Sequence, residues 1–204
     1  MKRRVVVTGI GALTPIGNNV NDTWKGILNH QCGIDLIQSF DTSNMKVKVA
    51  GELKNFEATE YLDKKDVRKM DKFIQYGLIA AKEAIKDSKL EIDSINHDRF
   101  GVVVSSGIGG LGSIEENHQR GLKKGFDRVS PYFIPMTIVN LAAGQIAIAF
   151  KAQGLATCPV TACAGGTNAI GDAFRNIRDG YLDVTIAGGC EAALLLLVLV
   201  DLHQ

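Results

Sequence analysis

No C-x-x-C pair occurs in this 204-residue sequence, and its four cysteines, Cys32, Cys158, Cys163 and Cys190, are too widely spaced for a zinc site or a small disulfide-stapled scaffold. That usage fits reduced thiols and a cytoplasmic location. Charge of one sign is also missing. With 23 basic and 22 acidic residues the formal net charge is +1, so no overall field points to nucleic acid as a partner. The apolar run Ala192 to Val200 has nine residues, well short of the ~20 that a bilayer span takes, and no membrane association is expected. Positive charges precede an apolar stretch in MKRRVVVTGIGAL, as in a signal peptide, but glycine and threonine interrupt it, and it reads as a first strand. Short-period repeats, low-complexity segments and linkers are absent. A hydrophobic content of 46% suffices for one large domain with a proper core.

The stretch Thr157 to Gly180, TCPVTACAGGTNAIGDAFRNIRDG, carries the chemistry. Thr157, Val160 and Thr161 suit an extended strand, and Ala169, Ile170, Ala173, Phe174 and Ile177 recur at helical spacing. Cys163 falls at the corner between them, near a helix N-terminus, where free N–H groups and the helix dipole favour a thiolate. Ala162, Ala164, Gly165 and Gly166 leave room for a substrate carbonyl to approach and for backbone N–H groups to serve as oxyanion donors. The mechanics are those of a hydrolase nucleophile elbow, although G-x-S-x-G is absent. A free cysteine is ordinarily a small core hydrophobe; the elbow context is what makes this one a nucleophile.

Elsewhere the elements alternate. Arg4 to Thr8 is a β-branched run that predicts a buried strand, and Asn21 or Asp22 caps a short helix through Leu28. Gln31 to Phe56 is irregular, with a short strand at Val47 to Ala50. Val67, Met70, Ile74, Leu78, Ala81 and Ile85 predict one amphipathic helix over Lys64 to Ser88, whose first turns cluster Lys64, Lys65, Arg68, Lys69 and Lys72; by charge alone that cluster is a solvated face. Phe100 to Ser105 reads as a buried strand, Ile138 to Ala152 as a buried helix and Leu182 to Ala187 as a last strand. This order predicts an α/β sheet, parallel or mixed, with helices on its faces. Gly107 to Gly112 spells G-x-G-x-x-G, but no second parallel strand leads to Asp127, so the loop is read as a close backbone approach rather than a nucleotide site.

VTACAGGTNAIGDAFR, RRVVVTGIGALTPIGN, SSGIGG at Ser105 to Gly110 and AGG at Ala187 to Gly189 together resemble the β-ketoacyl-acyl-carrier-protein synthases, most closely the elongating type II enzymes, in the same order and spacing. The resemblance implies the N-terminal half of a thiolase-like fold, a layered mixed sheet with helices on its faces. It implies an acyltransferase of fatty-acid biosynthesis that loads an acyl group on Cys163 and condenses it decarboxylatively with malonyl-acyl-carrier protein, without metal or other cofactor. Ile108 and Ala162 would border the acyl chain, with Phe133 and Ile134 reaching it from the second subunit of a homodimer. Lys65, Arg68 and Lys69 match the positions that meet the acyl carrier protein.

The resemblance runs from Lys2 to about Ala192 and divides the chain into a synthase N-terminal domain, 1–191, and a divergent apolar tail, 192–204. The family continues to roughly twice this length, and its two catalytic histidines come from the second half; His30, His97, His118 and His203 stand in no matching context. A truncated or frameshifted product, impaired in condensation, is the expectation. Alternative readings are a non-catalytic half-domain or a thiolase-like acyltransferase.

Overall fold

The computed structural model describes residues 3–196 and 198. Its centre is β3 (Phe100–Ser105), a β-rich run buried at every position. β3 lies between β4 (Ala156–Thr157) and β5 (Val184–Gly189), and both pairings are parallel. The register aligns Phe100 with Val184 and Ser105 with Gly189. Strand alternation sends successive side chains to opposite faces. Val102 and Val104 join the core made with α3 (Lys72–Ser88) and α6 (Leu141–Ala149), whereas Val103 packs against Ala169 and Ala173 of α7 (Gly165–Arg178). The result is three layers, with the sheet between α3/α6 and α7, and each buried valine contributes about 1.5–3 kcal/mol. A separate antiparallel pair joins β1 (Ile34–Leu36) to β2 (Val49–Gly51), after α1 (Val20–Leu28).

Four expectations need correction. Arg4 to Thr8 pairs with no strand among the described residues, and Val6 and Val7 are 59% and 79% exposed. The following residues instead lie along α3, where Ile10 N–H donates to Asp87 and Ala12 N–H to Glu83. Gly9 and Gly11 permit that approach, since a Cβ on either would stand about 2 Å from the Ala84 or Ala80 carbonyl oxygen. Helix α1 starts earlier than expected because Asn19, rather than Asn21 or Asp22, accepts the capping bond from Asp22 N–H.

The expected helix over 64–88 is two helices, α2 (Lys64–Val67) and α3, capped separately by Asp63 and Asp71. Asp71 is buried, and its carboxylate accepts from Phe73 N–H and from both the N–H and hydroxyl of Ser113 in α4 (Leu111–Lys124). A continuous helix would have no such cap or cross-link. The expected helix over 138–152 is shorter, α6 alone, and a separate short helix, α5 (Phe133–Thr137), precedes it; between them Ile138 is extended, and the Thr137 carbonyl is taken by Gly110 N–H of the glycine loop. Ile148, expected inside, is 72% exposed. Of the tail 192–204, Ala192 packs against the α3/α6 core; 197 and 199–204 lie outside the described residues.

Candidate active site

The strand before the thiol is shorter than its sequence suggests: β4 ends at Thr157, and a 3-10 turn, Ala162–Ala164, leads directly into α7. Ser105, at the end of β3, fastens this connection by donating its hydroxyl to the Pro159 carbonyl at 2.6 Å. Ala162 has φ +47°, a left-handed conformation that costs a non-glycine residue about 1–3 kcal/mol and is kept where surrounding structure dictates it. Cys163 follows and is exposed. Helix α7 begins without a side-chain cap, and its first N–H, that of Gly165, donates to the Ala162 carbonyl of the 3-10 turn.

Small residues hold that helix start against the sheet. A Cβ on Gly165 would stand 2.0 Å from Ser105 Oγ, and one on Gly189, at the end of β5, would stand 3.0 Å from Gly166 Cα. The AGG that closes β5 and the AGG that opens α7 are thus two sides of one contact. Above it lies a cleft of about 510 Å³ lined by Ser106, Gly107, Ile108, Ala162, Cys163 and Glu191, among others. Two more thiols are nearby. Burial, followed by the Glu191 charge, pushes the Cys190 thiol up to about 12, and burial raises that of Cys158.

Of the sequence-predicted residues, the cleft unites Cys163, Ile108 and Ala162. Phe133 and Ile134, expected to act across a dimer, do not line it, and Ile134 is 58% exposed. Lys65, Arg68 and Lys69 are all exposed. Arg68 lines a second, larger cavity of about 1010 Å³, and Lys69 Nζ lies 5.6 Å over the ring of Tyr132, just ahead of α5. Among the described residues no cluster of three or more histidine, cysteine or carboxylate side chains suits a metal ion, and no helix is long and apolar enough to cross a membrane.

Glu191 escaped the sequence reading. Its carboxylate accepts from Gly107 N–H at 2.7 Å, from Ile108 N–H at 3.2 Å and from the Ser106 hydroxyl at 3.2 Å. The available signal was its isolation, since it is the one charged residue between Asp183 and Asp201.

Against known proteins, the model of the β-ketoacyl synthase N-terminal domain matches residues 2–204. The chain belongs to the β-ketoacyl synthase family. It is 48% identical over 193 residues to the 3-oxoacyl-[acyl-carrier-protein] synthase 2 of Synechocystis sp., covering 95% of this chain and 46% of that protein. A synthase of the same name from Staphylococcus aureus is also 48% identical, over 192 residues and 46% of its length. The chain therefore spans about half the length of the curated relatives it matches. Among solved structures, the ishigamide ketosynthase/chain length factor superposes with a TM-score of 0.90 at 26% identity, over 98% of this chain and 50% of that one. Thus the family fold, read from motifs alone, is the one the structure has. The cleft brings Cys163 together with the glycine loop, and the basic cluster lies in α2, the connection after it and the first residue of α3.

Proposed function

We propose that Cys163 accepts an acyl group from a carrier-protein thioester, as the loading step of decarboxylative chain elongation in fatty-acid biosynthesis. The observation that carries this is an exposed thiol in a strained turn at an uncapped helix start, within a cleft. The sulfur attacks the thioester carbonyl, a new S–C bond forms as the carrier's S–C bond breaks, and the carrier leaves as a thiol carrying the proton that Cys163 gives up. The Cys163 N–H serves as one donor to the oxyanion. Malonyl-carrier protein then loses carbon dioxide, and its carbanion attacks the acyl-cysteine and frees the sulfur. Support for the carrier as partner comes from a structural neighbour at 27% identity and TM-score 0.83, described as a type II PKS acyl-carrier protein in complex with its ketosynthase bound to the hexaketide. Lys65, Arg68 and Lys69 are the docking residues, Ile108 and Ala162 border the acyl chain, and Phe133 and Ile134 join it across a homodimer in the cytoplasm. The division into a catalytic domain, 1–191, and an apolar tail is part of the same reading.

Incubation with an acyl-carrier-protein thioester, followed by peptide mass mapping, tests the loading step. The acyl group is expected on Cys163, and an adduct forming first on another cysteine overturns the assignment. The family resemblance places the condensation histidines in a second half, so loading without condensation is the expected behaviour of the 204 residues tested alone.

One observation favours a second reading, a half-domain that folds and binds its complement without turning over. On α7, immediately past the thiol, Ile170 and Phe174 remain 56% and 45% exposed. A chain that aggregates alone and becomes monodisperse with the C-terminal half of a family member would favour it; a monodisperse chain that loads Cys163 would exclude it.

A further inference from the structure

The turn that walls the Cys163 cleft is held by a carboxylate. Ser106 to Gly109 presents successive backbone N–H groups, an arrangement that gathers anions. Here the anion is internal. Glu191 Oε2 accepts from both Gly107 and Ile108, while Oε1 accepts from Ser106 Oγ, which itself accepts from Gly109 N–H at 2.9 Å. Every N–H from 107 to 109 is thereby engaged, directly or through one hydroxyl. Glu191 is placed for this by β5, whose ladder extends one residue beyond the strand through Cys190 N–H to the Ser105 carbonyl. Glu191 also lines both cavities, the one holding Cys163 and the larger one holding Arg68, together with Ala193.

We propose that Glu191 is a positioning residue for acyl-chain selection: it clamps the 106–109 turn so that the Ile108 side chain keeps a fixed place in the cleft beside Cys163. Ile108 is 45% exposed, and its backbone N–H is held by the Glu191 carboxylate. Its position follows the backbone, and the backbone follows Glu191. Removing the carboxylate frees two amides and a hydroxyl at once, and the wall of the cleft then moves relative to the sulfur. The inference rests on the acyl-transfer reading of Cys163 for its functional half and on hydrogen bonding alone for its structural half.

The 204-residue chain and its E191A, E191Q, I108A and I108A/E191A variants are compared by amide hydrogen exchange and by acylation of Cys163 with short, medium and long acyl thioesters. In E191A, exchange at Gly107 and Ile108 should rise roughly tenfold or more. The ratio of long-chain to short-chain acylation should change several-fold, with alkylation of Cys163 by iodoacetamide, a probe too small to meet Ile108, left within a factor of about two. E191Q keeps an oxygen where Oε2 stands and should restore both readouts. With Ile108 truncated, removing Glu191 should alter the acylation ratio no further. Unchanged exchange in E191A overturns the clamp. An unchanged ratio, equal loss for every acyl length and for iodoacetamide, or additivity in the double variant overturns the selection role. If the unaltered chain accepts no acyl group, the acyl-transfer reading falls and the selection role with it, while the exchange result still decides the clamp.

Discussion

Cys32 and Cys163 are exposed, whereas Cys158 and Cys190 are partly buried, and the difference should be visible in their chemistry. The nucleophile of thiol alkylation is the thiolate, and with its thiol pushed to about 12 Cys190 has almost none at neutral pH. Peptide mapping after brief iodoacetamide treatment near pH 7 should find adducts on Cys163 and Cys32 but not on Cys190; modification of Cys190 as fast as Cys163 would contradict its burial. The exposure of Cys163 was legible, because the residues around it, Ala162, Ala164, Gly165 and Gly166, are small. The inertness of Cys190 was not legible, since it comes from burial beside α3, where a Cβ on Gly77 would meet the sulfur at 2.8 Å. The glycine at 165 makes a second residue-scale prediction. Gly165→Ala drives a methyl onto Ser105, which is 2% exposed and bonded to Pro159, so overpacking should cost about 1–3 kcal/mol in urea unfolding. A fall in Cys163 acylation should accompany it, since the same contact seats the helix start.

At the scale of elements, the break between α2 and α3 spreads the basic cluster over Lys64 and Lys65 on the short helix, Arg68 and Lys69 in the connection and Lys72 at the start of α3, and Asp71 caps the helix that follows the break. Its carboxylate caps α3 and reaches α4 just beyond the glycine loop, so one side chain ties the cluster, the long helix and the loop together. Asp71→Ala removes a cap and leaves the buried Ser113 N–H and hydroxyl without an acceptor, for an expected loss of about 2–4 kcal/mol by denaturant titration. Asp71→Asn, which keeps an oxygen for Phe73, should lose less. Apolar spacing concealed this break, because Val67, Met70 and Ile74 keep helical phase across it. The polar signal was present in Asp63 and Asp71, two capping residue types one short helix apart. Arg4 to Thr8 misled in the opposite way. β-branched composition reports that a segment suits extended backbone, but not that another strand stands beside it. For β3, burial on both faces wrote itself into a nearly unbroken apolar run, and its extent could be read directly, while its central place in the sheet could not.

Across the whole molecule, the N-terminus, the start of β3 and the start of β5 meet at one carboxylate. Asp183 takes a two-bond fork from Arg99, at 2.6 and 2.9 Å, and a further bond from Arg3 at 2.5 Å. The Arg99 hydrogen bond, then that of Arg3, lowers its pKa from 3.8 to about 2. A folded-state value below the unfolded one means that the unfolded chain binds a proton first as pH falls. The stabilisation is therefore complete above about pH 5, begins to fade near the unfolded value and is gone once the pH drops through about 2. The Asp183 side chain is 45% exposed, and solvent screening keeps each ion pair to about 1 kcal/mol or less. D183N, which cannot titrate, should unfold at a lower temperature than the unaltered chain at pH 7. The gap in Tm between them should narrow as the solution is taken from pH 5 toward pH 2, with 1 M salt shrinking it at every pH. A gap that stays constant down to pH 2 would mean that the two arginines hold the N-terminal segment through packing rather than charge.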